Sequence, residues 1–318
     1  MILLLLIVPL VLPFAAPPLA RGLAARVEPG AALWALTAAT VGLAASAVAS
    51  LCGLVIAGAL RLPAVARLGE LIRPMATGPA EALIPLAAAA AAVLALCART
   101  ALGSAVRQSR SVRAAHAEAR GARTSDGMTV VADERIDAYA LPGGRGGFGR
   151  VVVTEGMLGC LDADERAALV AHERAHLTGR HHLFLAAAEL SAHCHPGLRP
   201  LRGDISLAVE RAADETAARA TGDRRLIARA IGRAALAAHA APARRQAVLP
   251  SAAAGPVPQR VAALLHRTGG GPRRLMTTFA LLLLVCAGTS STAVLAGAVG
   301  LHSGVEVAQG ETAAPTDH

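Results

Sequence analysis

Residues Asp162–Leu190 read DADERAALVAHERAHLTGRHHLFLAAAEL, and inside them His172-Glu173-Arg174-Ala175-His176 spells HExxH. On an α-helix, residues four apart stand on one face. Both imidazoles therefore reach one metal ion, with Glu173 beside them. Two neutral nitrogen ligands and a carboxylate that takes the proton from a metal-bound water are the parts of a zinc hydrolase. Asp162 followed by Glu165 predicts a capping box at the helix start, and the Ala/Leu-rich sequence runs on without proline until Pro196. The competing reading is a polar helix face in a histidine-rich patch, because His181, His182, His193 and His195 follow closely.

Past the break at His195-Pro196-Gly197, a second helix is predicted to carry Glu210 and Asp214, again four apart on one face. Glu210 can complete a His172, His176, Glu210 set for one zinc per chain, leaving the fourth position for water. Asp214 can hydrogen-bond a ligand imidazole and fix its tautomer. Alone, this pair reads as a solvated acidic face paired with Arg211 or Arg219; next to HExxH it reads as ligand and support.

Upstream of the motif the strand signals are short. Met128-Thr-Val-Val-Ala predicts one strand, and Ala138-Tyr-Ala-Leu-Pro-Gly follows a turn at Asp133. The strongest strand signal is Phe148 to Thr154, with its Val151-Val152-Val153 centre. Together they predict a small sheet beside the motif helix. The Gly143-Gly-Arg-Gly-Gly run reads as a flexible hairpin connection, with nothing after it to cradle a phosphate.

The composition points to a membrane. Hydrophobic residues make up 54% of the 318, and the mean hydropathy is +0.50. Four nearly uncharged runs, Met1 to Ala20, Ala31 to Leu60, Ala82 to Ala98 and Leu275 to Gly300, are each near the length of a bilayer span. Pro85 interrupts the third. The first run could instead be a signal peptide, but no Arg or Lys precedes its apolar stretch, so an uncleaved span is expected. Arg99, Arg107, Arg110, Arg113, Arg120 and Arg123 follow the third run, and Arg267, Arg273 and Arg274 precede the fourth. By the positive-inside rule they place the intervening region in the cytoplasm; Arg61, Arg67 and Arg73, in what becomes an outer loop, weigh against this. The expected organisation is a membrane region at 1–98, a basic juxtamembrane helix at 99–124, a zinc metallopeptidase domain at 125–270, a fourth span at 275–300 and a short external tail at 301–318.

A sequence pI near 10.9 raises the question of nucleic acid. The clustered arginines lie beside apolar runs, where topology and anionic lipid account for them. One Tyr and one Trp form no stacking platform, so no direct nucleic-acid binding is expected, and Trp34 marks a membrane interface. Five cysteines, an odd number, in a cytoplasmic context predict free thiols.

The order AYALPG (Ala138 to Gly143), VVVTEG (Val151 to Gly156), HExxH and ExxxD (Glu210 to Asp214) resembles the integral-membrane gluzincin metallopeptidases. These include the HtpX-type heat-shock peptidases, the CAAX prenyl endopeptidases and the antirepressor peptidases of beta-lactam sensor-transducers. Pro258-Gln259-Arg260-Val261 resembles a proline-then-arginine helix start in the same family, so the likeness spans about Met128 to Leu265. The resemblance implies that His172, His176 and Glu210 bind zinc and that Glu173 is the catalytic base. It also implies that the strand Val151, Val152, Val153, Thr154 binds extended substrate peptide. Three spans before the domain and one after are closest to the antirepressor branch, although the tail is too short for a beta-lactam-binding domain.

The fold expected is therefore mainly α: a multi-spanning membrane protein with an inserted α+β zincin-like domain. The expected partners are a protein or peptide substrate and membrane lipid, with a DNA-binding repressor as the substrate in the signalling reading. Quality control of membrane proteins, a non-catalytic metal-binding sensor and a metal-storage role for the histidines are the alternatives.

Overall fold

The structure is a computed structural model that describes residues 2–59, 80–125, 127–143, 149–240 and 256–266. The expected fourth span and tail, the arginine-bearing loop at 61–73 and most of the Gly143–Gly147 run lie outside these residues.

The described chain is mostly helical with one small mixed sheet. The first apolar run departs from the single straight span expected of it. Helix α1 (Ile2–Val11) gives way to a 3-10 turn at Leu12–Ala15, and α2 (Ala16–Arg26) follows. Prolines are responsible: Pro9 lies inside α1 and Pro13 at the head of the turn, and each removes a backbone donor. At 10 residues, α1 is about 15 Å long, half a hydrocarbon core. The Ser50 hydroxyl on the next helix donates to the Leu6 carbonyl and holds α1 in place.

Among the described residues, two helices are long and apolar enough to cross a bilayer: α3 (Pro29–Ala59) and α4 (Ala80–Arg120). Their surroundings differ. Helix α3 packs Leu33, Leu36, Ala39 and Leu43 into a core shared with Phe184, Leu198, Leu201, Ile205 and Val209. Helix α4 leaves Ile84, Val93, Leu96 and Leu102 exposed. The expected basic helix at 99–124 is the continuation of the third apolar run: Pro85 sits near the start of α4, which runs unbroken to Arg120 and turns Arg107, Arg110 and Arg113 to solvent.

The sheet has the order β1-β2-β4-β3, built from β1 (Arg123–Ser125), β2 (Met128–Val131), β3 (Ala138–Leu141) and β4 (Arg150–Thr154). β1 and β2 form a hairpin that turns at Gly127, whose φ of 74° favours glycine. β2 runs parallel to β4, and β3 antiparallel to it. Side chains alternate across the sheet. Val131, Tyr139, Leu141 and Val152 pack on Ala115 and Ala119 at the end of α4, while Ala138, Val151 and Val153 face the helix that carries HExxH through Leu169.

A short helix α5 (Glu155–Cys160) leads into the motif helix α6 (Ala163–Thr178). The predicted capping box forms: Glu165 N–H donates to Asp162 Oδ1 (2.9 Å) and Asp162 N–H to Glu165 Oε2 (3.1 Å). The helical run does not continue to Leu190 as one helix. Gly179 ends α6, Arg180 adopts a left-handed φ of 49°, and α7 (His181–Cys194) starts in a new direction. A 3-10 turn at Pro196–Leu198 precedes α8 (Leu201–Thr221), and α9 (Arg224–Ala240) and α10 (Val257–Leu265) complete the described elements.

Candidate metal centre and active site

Helices α6 and α8 bring their polar residues together in an otherwise apolar interior. His172 and Glu173 are buried on α6, as are Glu210 and Asp214 on α8. The helical spacing of four does what the sequence predicts: the Nε2 atoms of His172 and His176 lie 3.1 Å apart. Two nitrogens bound to one tetrahedral zinc at about 2.0–2.1 Å stand about 3.3 Å apart. Glu210 closes the group, with Oε2 3.5 Å from His172 Nε2 and Oε1 3.7 Å from His176 Nε2. Ligand atoms of the three residues all lie within 4.8 Å of one another, the one such group of His, Cys, Asp and Glu among the described residues. A further sign of fit is Glu173, whose Oε1 is buried without a hydrogen-bond partner among the described residues. Buried orphan oxygens of this kind are rare unless a water or ion belongs there.

The outer atoms of the group are held. Asp214 Oδ1 lies 3.0 Å from His172 Nδ1. Arg260 on α10, completely buried, grips Asp214 with two hydrogen bonds, Nε to Oδ2 (2.8 Å) and Nη2 to Oδ1 (2.7 Å). Its Nη1 reaches Glu210 Oε2 at 3.0 Å. The fork of a guanidinium suits this bridging, where an ammonium would not. Arg260 thus orients both acidic residues, with both oxygens of Glu210 turned toward the histidines.

These surroundings move the protonation equilibria. Burial works against charge on His172, but the acceptors Asp214 and Glu210 outweigh it and push the imidazole up to about 10. Burial pushes Glu173 up to about 8; His172 pulls the other way, and Glu210 and Asp137 add to the rise. His176 is held well below the usual histidine value by burial and by the neighbouring His172 and His181. Asp214 opposes its own burial penalty with hydrogen bonds to Arg260 and His172, which keep its carboxyl below the ordinary range.

Other expected residues fall elsewhere. β4 lies between β2 and β3, so both of its edges are occupied. Val151, Val152 and Val153 are buried on the two faces of the sheet, and no backbone edge remains for a peptide. Thr154 is a helix cap: its hydroxyl accepts from Met157 N–H and bonds the backbone around Asp137. Val151–Thr154, expected to bind substrate as a strand, is thus the central β4, paired with β2 on one side and β3 on the other. A single apolar run cannot reveal whether its strand lies at the centre or the edge of a sheet. Among the described residues, the unpaired edge beside α6 belongs to β3, Ala138–Leu141.

His193 pairs with Glu189 (3.2 Å) and His195 with the Leu10 carbonyl (2.9 Å), so neither joins the metal group. Two contributors escaped the residue-level reading. Arg260 had a signal in the Pro258-Gln259-Arg260-Val261 run, but its pairing with Asp214, 46 positions away, is tertiary. His181 had only its place in a histidine-rich patch.

Residues 105–199 match the model of Peptidase family M48. This segment is similar to the M48 peptidases. The match spans just under a third of the chain and includes HExxH, while Glu210, Asp214 and Arg260 lie beyond it. The match supports reading this segment as metallopeptidase-like, of the gluzincin type. No curated protein and no solved structure matches the chain.

Proposed function

We propose that the chain is a membrane-bound zinc metalloendopeptidase that cuts a protein on the cytoplasmic side. The observation that carries this reading is the convergence of His172, His176 and Glu210 from two helices, with the buried, unpartnered carboxylate of Glu173 beside them. Bound there, one zinc would acidify a water and polarise the scissile carbonyl. Glu173 takes the water's proton and hands it to the leaving amine. Asp214 holds His172 in the tautomer that directs Nε2 inward, and Arg260 keeps Glu210 in place. Substrate lies as an added strand on the β3 edge.

Membrane attachment is supported by the apolar face that α4 exposes through Ile84, Val93, Leu96 and Leu102. The arginines at its far end favour the cytoplasmic side. The preferred substrate is a dimeric DNA-binding repressor, in keeping with the likeness to the antirepressor branch. Quality control of membrane proteins is the second reading, in keeping with the likeness to the HtpX-type peptidases.

The test compares the parent with Glu173→Gln. The variant should keep its zinc and lose about two or more powers of ten in peptide hydrolysis. In cells, one repressor should accumulate with the variant; accumulation of many misfolded membrane proteins instead would favour quality control. Equal turnover by parent and variant would remove Glu173 from the mechanism.

A further inference from the structure

A metal-binding imidazole offers a lone pair from one ring nitrogen and carries hydrogen on the other, and when buried that second nitrogen needs an acceptor. For His172 the nearest acceptor is Asp214 Oδ1, 3.0 Å from Nδ1. For His176 it lies on the next helix. His176 turns Nε2 toward His172 and Glu210, and its Nδ1 lies 3.1 Å from Nδ1 of His181. Two ring nitrogens at that separation comprise one donor and one acceptor. With its Nε2 lone pair facing the ligand group, His176 must donate from Nδ1, and His181 Nδ1 accepts.

We infer that His181 is a positioning residue for the metal ligand His176, fixing its tautomer and ring plane through this hydrogen bond. The inference rests on the zinc reading of His172, His176 and Glu210. The local fold is built around the contact. Arg180, left-handed at φ 49°, swings the first residue of α7 back over the last turn of α6. Gly179 leaves room for the ring: a Cβ there would stand 2.4 Å from His181 Nε2 and 2.7 Å from its Cδ2. Phe184, one turn further along α7, meets His181 edge-on at 6.5 Å. The ring is buried, whereas its neighbour His182 faces solvent. A neutral acceptor at this position steadies the ligand without adding another negative charge beside Glu173 and Glu210.

Zinc affinity of the purified full chain, measured by competition with a chelator, tests this on four variants. His181→Leu keeps bulk but has no acceptor, and should weaken zinc by about 10–100-fold. In His181→Asn, Oδ1 stands close to the position of Nδ1 and accepts, so affinity should stay near the parent's. Gly179→Ala suits the ordinary helical backbone at that residue (φ −74°, ψ −6°) but displaces the ring, so it should weaken zinc as Leu does. His176→Ala is the control: parent-like affinity there would sink the zinc reading itself. If His176→Ala loses zinc while His181→Leu binds like the parent, or while Asn binds as poorly as Leu, the positioning role is overturned. Thermal unfolding of the zinc-free proteins identifies any variant that fails to fold; should His181→Leu be one, Gly179→Ala against His181→Asn decides alone, and parent-like zinc affinity in Gly179→Ala overturns the role.

Discussion

At the residue scale, the site is a set of charges that need one another. Arg260 is buried against Asp214 and Glu210, and removing one member of a buried ion pair strands the rest. Arg260→Met should destabilise the zinc-free protein by about 3–5 kcal/mol in denaturant titrations. Arg260→Lys should recover only part, because a point charge cannot span both carboxylates. The histidines predict a pH effect. The His172 imidazole is pushed up to about 10 by its acidic partners, above its ordinary 6.5. Its proton therefore stabilises the zinc-free fold fully below about pH 6.5, and that contribution fades as pH rises through about 10. Zinc must displace this proton, so zinc affinity should climb between pH 7 and pH 9. Calorimetry in buffers of different ionisation heat should count a proton released at neutral pH. Affinity that is flat with pH would mean that His172 is not a ligand.

At the element scale, the consequential fact is which strand has a free edge. Thr154 N–H donates to the Asp137 carbonyl. Given the register Ala138↔Val153 to Leu141↔Arg150, the backbones of Tyr139 and Leu141 then face β4, while those of Ala138 and Ala140 face outward. Ala140→Pro would delete an outward N–H without breaking the β3–β4 ladder, a placement that edge strands tolerate. The expected outcome is an intact fold, unchanged zinc content and a raised KM for an extended peptide, with kcat little affected. An unchanged KM would move the substrate off this edge.

At the scale of the whole molecule, the long apolar helix α3 and the helices around the metal group share one core. Leu36 and Leu43 of α3 share a core with Ile205 and Val209 of α8, the helix that supplies Glu210. Trp34 stacks edge-on against Phe184 of α7 at 4.9 Å. The expected boundary between residues 98 and 99 falls inside α4. The proposed orientation predicts that a reporter active only outside the cytoplasm works when fused after Gly310 and fails when fused after Arg123. The reverse result would put the zinc site outside and rule out cytoplasmic substrates.

What the sequence determined by itself was whatever depends on local spacing. HExxH and ExxxD each place two side chains on one face because a helix repeats every 3.6 residues, and the Asp162–Glu165 cap spans a single turn. A valine run was enough to announce β4 as a strand. Only the tertiary structure decided what depends on contacts between distant segments. Arg260 meets Asp214 because α10 folds back on α8, β3 rather than β4 keeps an open edge because β2 covers the other side, and His181 meets His176 because the chain turns left-handed at Arg180. No periodicity encodes these meetings, since each is settled by how helices and strands share a limited apolar interior.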